Sequence, residues 1–258
     1  MPGLVLLPTP LAPNTLALGQ LLVDPLDPSS TSFTSTSTPA LRKPEIQAQY
    51  RDVVTHDHEG HFISSISGDL STLDSHLLMV QADEAEYSSV TSPSASFDAL
   101  RQDPSARRFL RKMGQQNQPL YYVVGIQKLR NPTFKRAVLQ DGTVAEAKNA
   151  SDPKIRLPSH MRRDSGMDVE QSEAVVGVEL MKVMCHVGSP NEPHALSDIG
   201  YSWSYHSAKA DHDDQLSIGF GSPLSGAELR ALAGISSDAD LTDDSHFDEP
   251  ESDGFGGF

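Results

Sequence analysis

The sequence predicts an α+β fold, in which a twisted, mostly antiparallel sheet carries packed helices and flexible loops. Two long apolar segments, Leu120 to Arg130 and Val175 to Val187, have the length and the β-branched content of buried strands. An Asp-Pro pair at Asp103 opens a helix with one apolar stripe. The C-terminal segment has eight acids and no Lys or Arg, a composition typical of disorder. We therefore expect one domain over residues 1–235 and an acidic disordered tail over residues 236–258.

The N-terminal part is predicted to hold one short helix and a flexible loop. Asn14 suits an N-cap, and the segment from Asn14 to Val23 is rich in Leu. An Asp-Pro pair ends this helix, and the Ser- and Thr-rich stretch from Ser29 to Pro39 is typical of a loop.

A β-hairpin is predicted next. Phe62, Ser64 and Ile66 alternate as in a strand, a Gly-Asp turn signal follows, and Leu73 to Val80 forms the second apolar run.

The helix after Asp103 has a basic amphipathic pattern. Its apolar residues recur at helical spacing and its bases flank them. The stripe consists of Ala106, Phe109, Leu110 and Met113, and the flanking bases are Arg107, Arg108, Arg111 and Lys112. Such a helix suits a membrane surface. The alternative is an ordinary surface helix that docks through its stripe.

The two long strands allow two interpretations. Leu120, Tyr122, Val124 and Ile126 are expected on one face of the first strand, and Tyr121, Val123 and Leu129 on the other. Each strand is about as long as the ~9–11 residues that a tilted strand needs to cross a bilayer. The alternative is a pair of core strands, and both descriptions hold if the protein changes shape. The polar residues 138–173 between them are predicted to form a loop.

Charge is segregated along the chain. Between Arg101 and Arg163, 14 bases face four acids, so this window carries +10 although the whole chain carries −15. Ser225 and Glu228 form a capping box for a short helix from Leu229 to Ala233, just before the acidic tail. The basic middle favours an anionic partner that the tail could shield. A solvated basic surface with a disordered tail is the other interpretation.

Several classes of protein do not fit the sequence. A single cysteine, Cys185, excludes a disulfide framework and indicates a reducing compartment. The net negative charge argues against general nucleic-acid binding. No Lys or Arg precedes Arg42 and prolines interrupt the N-terminal apolar run, so a signal peptide is not expected. No stretch has the ~20 apolar residues of a spanning helix.

No enzyme, metal or cofactor signature is present. Cys185 and His186 are neighbours in a strand, so their side chains point to opposite faces and form a poor nucleophile–base pair. Two clusters of His and acidic residues lack specific ligand spacing, and we expect solvated loops there, with metal binding as the alternative. The clusters are His56, Asp57, His58, Glu59 and His61, and His206, Asp211, His212, Asp213 and Asp214.

The stretch from Phe97 to Leu129 resembles the gasdermin pore-forming domain. In that family a helix with an Arg and a Phe-Leu pair leads directly into a Leu-Tyr-Val-Val strand; here these are Arg107 to Leu110 and Leu120 to Val124. A polar linker and a second apolar strand follow in the family, and Val175 to Val187 fits that place. The chain has no bulky C-terminal inhibitory domain after this region, unlike animal gasdermins and like fungal members that control cell death when genetically different cells fuse.

The resemblance implies a protein that is cytoplasmic when inactive and acts at the plasma membrane when assembled. It would bind acidic phospholipid, oligomerise with itself or with an allelic variant into a β-barrel pore, and kill the cell during allorecognition. Its membrane-crossing hairpins would come from about Phe62 to Val90 and from Leu120 to Val187. The lipid-binding residues would be Arg107, Arg108, Arg111, Lys112, Lys128, Arg130, Lys135 and Arg136.

Two alternatives remain open. The trigger is expected to be a variant partner, but a protease that removes the tail would be another. A non-lytic protein whose basic surface and acidic tail bind other proteins is a different class of function. A nucleic-acid partner is not expected.

Overall fold

A computed structural model describes residues 3–36, 38–65, 77–140, 143–147, 155, 172–189, 199–207 and 214–235. These residues form twelve strands and three helices. The strands are β1 (Val5–Leu11), β2 (Leu21–Leu22), β3 (Ser32–Phe33), β4 (Glu45–His56), β5 (Phe62–Ser65), β6 (Leu77–Ser89), β7 (Leu120–Arg130), β8 (Thr133–Gln140), β9 (Thr143–Glu146), β10 (Glu173–Gly188), β11 (Ser202–Ser207) and β12 (Gln215–Pro223). The helices are α1 (Pro93–Leu100), α2 (Pro104–Gln115) and α3 (Gly226–Leu232).

The strands form one sheet in which every pairing between named strands is antiparallel. Its main order is β11-β12-β10-β7-β6-β4-β5, while β1 pairs with β10 and β8 pairs with both β6 and β9. The predicted antiparallel sheet with packed helices is therefore confirmed, with strands dominating over helices. The predicted tail, residues 236–258, lies outside the described residues.

The two predicted apolar strands form, and they lie side by side at the centre of the sheet. β7 and β10 pair from Arg130–Glu173 to Leu120–Val183. Their register shifts between Glu179 and Leu180, which pair with Gly125 and Val123, so Val124 is an extra residue on β7.

This bulge changes which face Ile126 occupies. Leu120, Tyr122 and Val124 belong to one core cluster, but Ile126 belongs to the cluster that contains Tyr121 and Val123. The predicted face of Ile126 is therefore wrong, because the extra residue shifts the strand alternation by one position.

The helices cover both faces of the sheet centre. α1 and α2 bury Phe97, Leu100 and Leu110 in one core cluster with Tyr122 of β7. α3 buries Leu229 in another cluster, together with Tyr121. Because Tyr121 and Tyr122 are consecutive strand residues, the two clusters lie on opposite faces.

The helix predicted from Asn14 to Val23 does not form. Gly19 has a φ of +83°, which a right-handed helix excludes, and its N–H donates to the Val123 carbonyl at 2.8 Å. The segment ends in β2, which pairs with β7. Backbone pairing with the sheet thus prevails over the Leu-rich helical pattern.

The predicted hairpin around the Gly-Asp turn is also wrong. β5 and β6 do not pair with each other, because each pairs with β4, which lies between them. β4 was not predicted, although Ile46, Ala48 and Tyr50 alternate with polar residues as in a strand; its first five residues are exposed in the fold. Ile66 and Leu73, which were part of the prediction, lie outside the described residues.

The predicted loop over residues 138–173 begins with further strand structure. β8 continues to Gln140 and pairs with β9, so Leu139 lies opposite Val144. Most of the remaining linker lies outside the described residues.

Of the helices in the described ranges, the longest has 12 residues. None is long and apolar enough to cross a membrane.

Candidate functional site

α2 is held against the sheet by its apolar stripe. Asp103 caps it by accepting a hydrogen bond from the Ser105 backbone N–H at 2.8 Å, and Pro104 occupies the first turn. Leu110 and Met113 are buried, as predicted from the helical spacing. Gly114 allows a close approach, because a Cβ there would lie 3.2 Å from the Cys185 backbone of β10. One face of the helix is thus fixed to β10.

The remaining surface of α2 carries four basic side chains. Arg108 and Lys112 are exposed, and Arg107 and Arg111 are half-buried. None of the four makes an ion pair within the part of the chain that the structure describes. The Arg108 guanidinium reaches only the Ser105 hydroxyl, at 3.3 Å. This surface therefore presents positive charge that no described carboxylate neutralises.

The other four predicted lipid-binding residues lie elsewhere in the fold. Lys128 and Arg130 lie at the C-terminal end of β7, whereas the start of β7 follows α2. Arg130 contacts Glu84 at 3.1 Å, and Lys135 of β8 contacts Glu146 at 2.8 Å.

Lys128 pairs in register with Glu86, and Arg136 of β8 is exposed. The structure thus brings four of the eight predicted residues together on α2 and leaves the other four on the strands, two of them in ion pairs.

Two basic residues near α2 were missing from the predicted set. Arg101 forms the C-cap of α1, directly before α2, and His206 lies on β11. Burial, followed by the charges of Arg107 and Arg101, lowers the pKa of His206 below its usual value. The sequence contained a signal only for Arg101, which lies six positions before Arg107; His206 comes close to them only through the pairing of β11 with β12.

α3 joins distant parts of the sheet. Lys182 of β10 donates to Glu228 at 2.9 Å, and Arg230 donates to the Ile63 carbonyl of β5 at 2.9 Å. Leu229 is fully buried between these contacts. The predicted capping box is confirmed, since Ser225 and Glu228 exchange the expected hydrogen bonds. The hydrogen bond from the Ser225 backbone and the bond from Lys182 lower the pKa of Glu228 to about 2.

Three of the residues considered for catalysis and metal binding, Cys185, Asp57 and His61, have defined surroundings in the fold. Burial raises the pKa of the Cys185 thiol to about 12, so the thiolate nucleophile is scarce at neutral pH. Asp57 accepts hydrogen bonds from the backbone and the ring of His61, which closes the turn between β4 and β5.

Within the described ranges, no group of three His, Cys or acidic residues could hold a metal ion. Asp211, His212 and Asp213 of the second predicted cluster lie outside these ranges.

No protein-family model and no curated protein matches this sequence. Among solved structures, the chain is similar to a bacterial gasdermin from Bradyrhizobium tropiciagri, with 13% sequence identity and a TM-score of 0.32. The similarity covers 70% of this chain and 82% of the bacterial one. At this TM-score it assigns neither family nor function.

Proposed function

We propose that this chain is a gasdermin-like pore-forming protein, which binds acidic phospholipid and assembles into a β-barrel pore that kills the cell. The observation that carries the proposal is the charge on α2. Four bases lie on one amphipathic helix, and no described carboxylate pairs with them. A cation near an anionic membrane gains about 1 kcal/mol of binding free energy. The four bases of this helix are therefore available to contact an anionic membrane, because none of them forms an ion pair in the described fold.

The two central strands are long enough to cross a membrane. β7 has 11 residues and β10 has 16, each enough for the ~9–11 residues of a membrane-crossing strand. Unpaired strand edges cannot lie in lipid, so crossing strands must close into a barrel. One chain offers few such strands, and closure therefore requires many copies. In the soluble chain β7 and β10 are central core strands, so assembly requires a change of shape.

The proposed setting is regulated cell death during allorecognition. The protein would be cytoplasmic while inactive and would act at the plasma membrane once assembled. The proposed trigger is pairing with an allelic variant of the chain, which supplies an interface that self-pairing lacks. Lys128, Arg130, Lys135 and Arg136 are proposed as further lipid contacts, available for this role once the strands rearrange.

Release of dye from liposomes tests the proposal. We expect the chain, mixed with a variant partner, to release dye from liposomes that contain phosphatidylserine and not from pure phosphatidylcholine liposomes. No release of dye from either kind of liposome would contradict the proposal and favour a non-lytic protein whose basic surface and acidic tail bind other proteins.

A further inference from the structure

The junction between α1 and α2 gathers basic groups from three elements. Arg101 ends α1, Arg107 lies in α2, and His206 lies on β11. His206 pairs with Leu216 of β12, and Leu216 packs in the core cluster that α1 and α2 cover. Directly paired residues of antiparallel strands point to the same face of a sheet. His206 therefore faces the two helices.

Two nitrogen atoms of this junction are buried and have no hydrogen-bond partner in the described part of the chain. They are Nε2 of His206 and Nε of Arg101. The Arg101 side chain is 20% exposed, and its Nη2 contacts Asp98 at 2.9 Å. A buried polar atom without a partner is costly, so a ligand that accepts a hydrogen bond from these atoms would stabilise the junction.

The charges of the junction are out of balance. The groups that act on His206 are the guanidinium groups of Arg107 and Arg101, and both lower its pKa. The carboxylates of Asp98 and Asp103, in the described helix region, are already engaged, because Asp98 pairs with Arg101 and Asp103 caps α2. Arg107 and His206 have no carboxylate partner in the described part of the chain. An anion would relieve both the repulsion and the missing hydrogen bonds.

We propose that Arg101, Arg107 and His206 form a binding site for a phosphate group. Phosphate oxygens accept several hydrogen bonds at once, and guanidinium groups match their geometry. The proposal deepens the proposed function and rests on it for its biological role, because α2 is the helix proposed to contact phospholipid. The phosphate could belong to a lipid headgroup or be free in solution. Arg101 and His206 are new to the set of anion-binding residues.

The site has a built-in pH dependence. Bound phosphate favours the protonated imidazolium of His206, so binding raises the pKa of His206. By linkage, protonation of His206 increases the affinity for a phosphate of given charge as the pH falls through that pKa. The fixed charges around the ring are those of Arg101 and Arg107, with Asp98 bound to Arg101. The titration of His206 thus reports occupancy directly.

Histidine NMR on the full chain tests the site without requiring a pore. We expect inorganic phosphate to shift the His206 ring signals in a saturable way and to raise its pKa. Vesicles of phosphatidylcholine with phosphatidic acid form the second arm, since they offer the same group on a lipid. If the vesicles shift the His206 signals, with or without a shift by inorganic phosphate, the ligand is a lipid headgroup. If only inorganic phosphate shifts them, the ligand is free phosphate. Both results support the phosphate site.

Variants connect phosphate binding to two of the three residues. Because His206→Gln removes the NMR reporter, binding to the variants is measured by calorimetric titration, and Arg101→Gln and His206→Gln should each weaken it about ten- to a hundredfold, as expected for loss of a charged hydrogen bond. Arg101→Lys keeps the charge and should restore part of the affinity. Lys43→Gln and His58→Gln change exposed residues outside the junction and should bind as the unaltered chain does.

The site is refuted if neither phosphate nor the vesicles move the His206 signals of the unaltered chain. It is equally refuted if Arg101→Gln and His206→Gln bind phosphate as tightly as the two controls. Failure of the proposed function looks different: the chain would release no dye from acidic liposomes while phosphate still moved His206.

Discussion

At the scale of single residues, the four bases of α2 lack, in the described fold, the carboxylate partners that Arg130, Lys135 and Lys182 have. Each of those three contacts a carboxylate within about 3 Å, as a stabilising ion pair does. The bases of α2 have no such partner in the described ranges, so the fold does not use their charge. This difference separates bases that are paired in the fold, and that become available to a membrane only when the strands rearrange, from bases that are available without a rearrangement.

Reversing the charge of α2 should abolish membrane binding and leave the fold intact. The variant combines Arg107→Glu, Arg108→Glu, Arg111→Glu and Lys112→Glu, which places four negative charges against an anionic surface. We expect loss of flotation with phosphatidylserine liposomes and an unchanged circular dichroism spectrum. Binding should weaken with salt in the unaltered chain, because the interaction is electrostatic.

A control variant reverses three exposed bases away from α2: Arg42 and Lys43, which precede β4, and Arg51 in the middle of β4. We expect this variant to float as the unaltered chain does. If the α2 variant still bound at low ionic strength, α2 would have no part in membrane binding.

Glu228 gives the fold a defined pH dependence. Its pKa is lowered to about 2 in the folded chain, against an ordinary value of 4.5. A lowered carboxyl pKa stabilises the fold above the unfolded-state pKa, and this contribution is lost as the pH falls toward the folded-state value. We expect Glu228→Gln to be less stable than the unaltered chain at neutral pH, with a difference that shrinks below about pH 4.5. Urea unfolding at several pH values measures it.

The cap itself provides a comparison for Glu228. Ser225→Ala removes the hydroxyl that accepts from the Glu228 N–H and should cost about 1 kcal/mol of unfolding free energy. Because a hydroxyl does not titrate, most of this loss should persist across the pH range. A pH-independent loss in Glu228→Gln would contradict the assigned role of its carboxylate.

At the scale of elements, β10 must leave its neighbours if it is to cross a membrane. It pairs with β7 on one side and with β12 and β1 on the other. A disulfide between β10 and β12 should therefore block the pore. His186→Cys with Ser217→Cys suits this test, because the two residues pair directly and such Cα atoms lie about 4.5–5.5 Å apart, within disulfide range.

The variant is made with Cys185→Ala, so that no third thiol competes. We expect the oxidised form to release no dye and the reduced form to recover release. Each single-cysteine variant is the control and should be insensitive to oxidant. Equal dye release from the oxidised and reduced forms would show that β10 and β12 stay together in the pore.

The elements differ in how far the sequence predicts them. β7, β10, α2 and α3 were predictable, because apolar periodicity and capping residues are local signals. β4 also has a local signal, because Ile46 and Ala48 alternate with polar residues, but its place between β5 and β6 depends on pairing across the sheet. The bulge at Val124 also had no local signal, because it arises from the register with β10.

The candidate site also has one part that the sequence predicts and another that depends on strand pairing. The basic surface of α2 follows from helical spacing, so the sequence predicts it in full. The ion pairs of Arg130 and Lys135 with distant glutamates, and the approach of His206 to Arg107, exist only because strands far apart in sequence become neighbours.

At the scale of the whole molecule, the acidic tail is expected to modulate activity and not to lock it. Residues 236–258 contain eight acids but few apolar residues, so they can bury little surface. One aromatic ring buries ~150–250 Å², worth a few kcal/mol at about 25 cal/mol per Å², while ordering the chain costs about 1–2 kcal/mol per residue. A chain that ends at Ile235 should therefore not kill cells when it is expressed alone. Killing by this truncated chain, with none by the full chain, would instead support activation by a protease.

The permeability of living cells to a membrane-impermeant dye tests the proposed pore most directly. The full chain is expressed alone, with an allelic variant, and as the α2 charge-reversal variant together with that partner. We expect dye entry only when the unaltered chain meets its partner, because the partner triggers assembly and the bases of α2 hold the complex on the membrane. Intact cells in all three cases, despite a stable complex of the chain with its partner, would contradict pore formation.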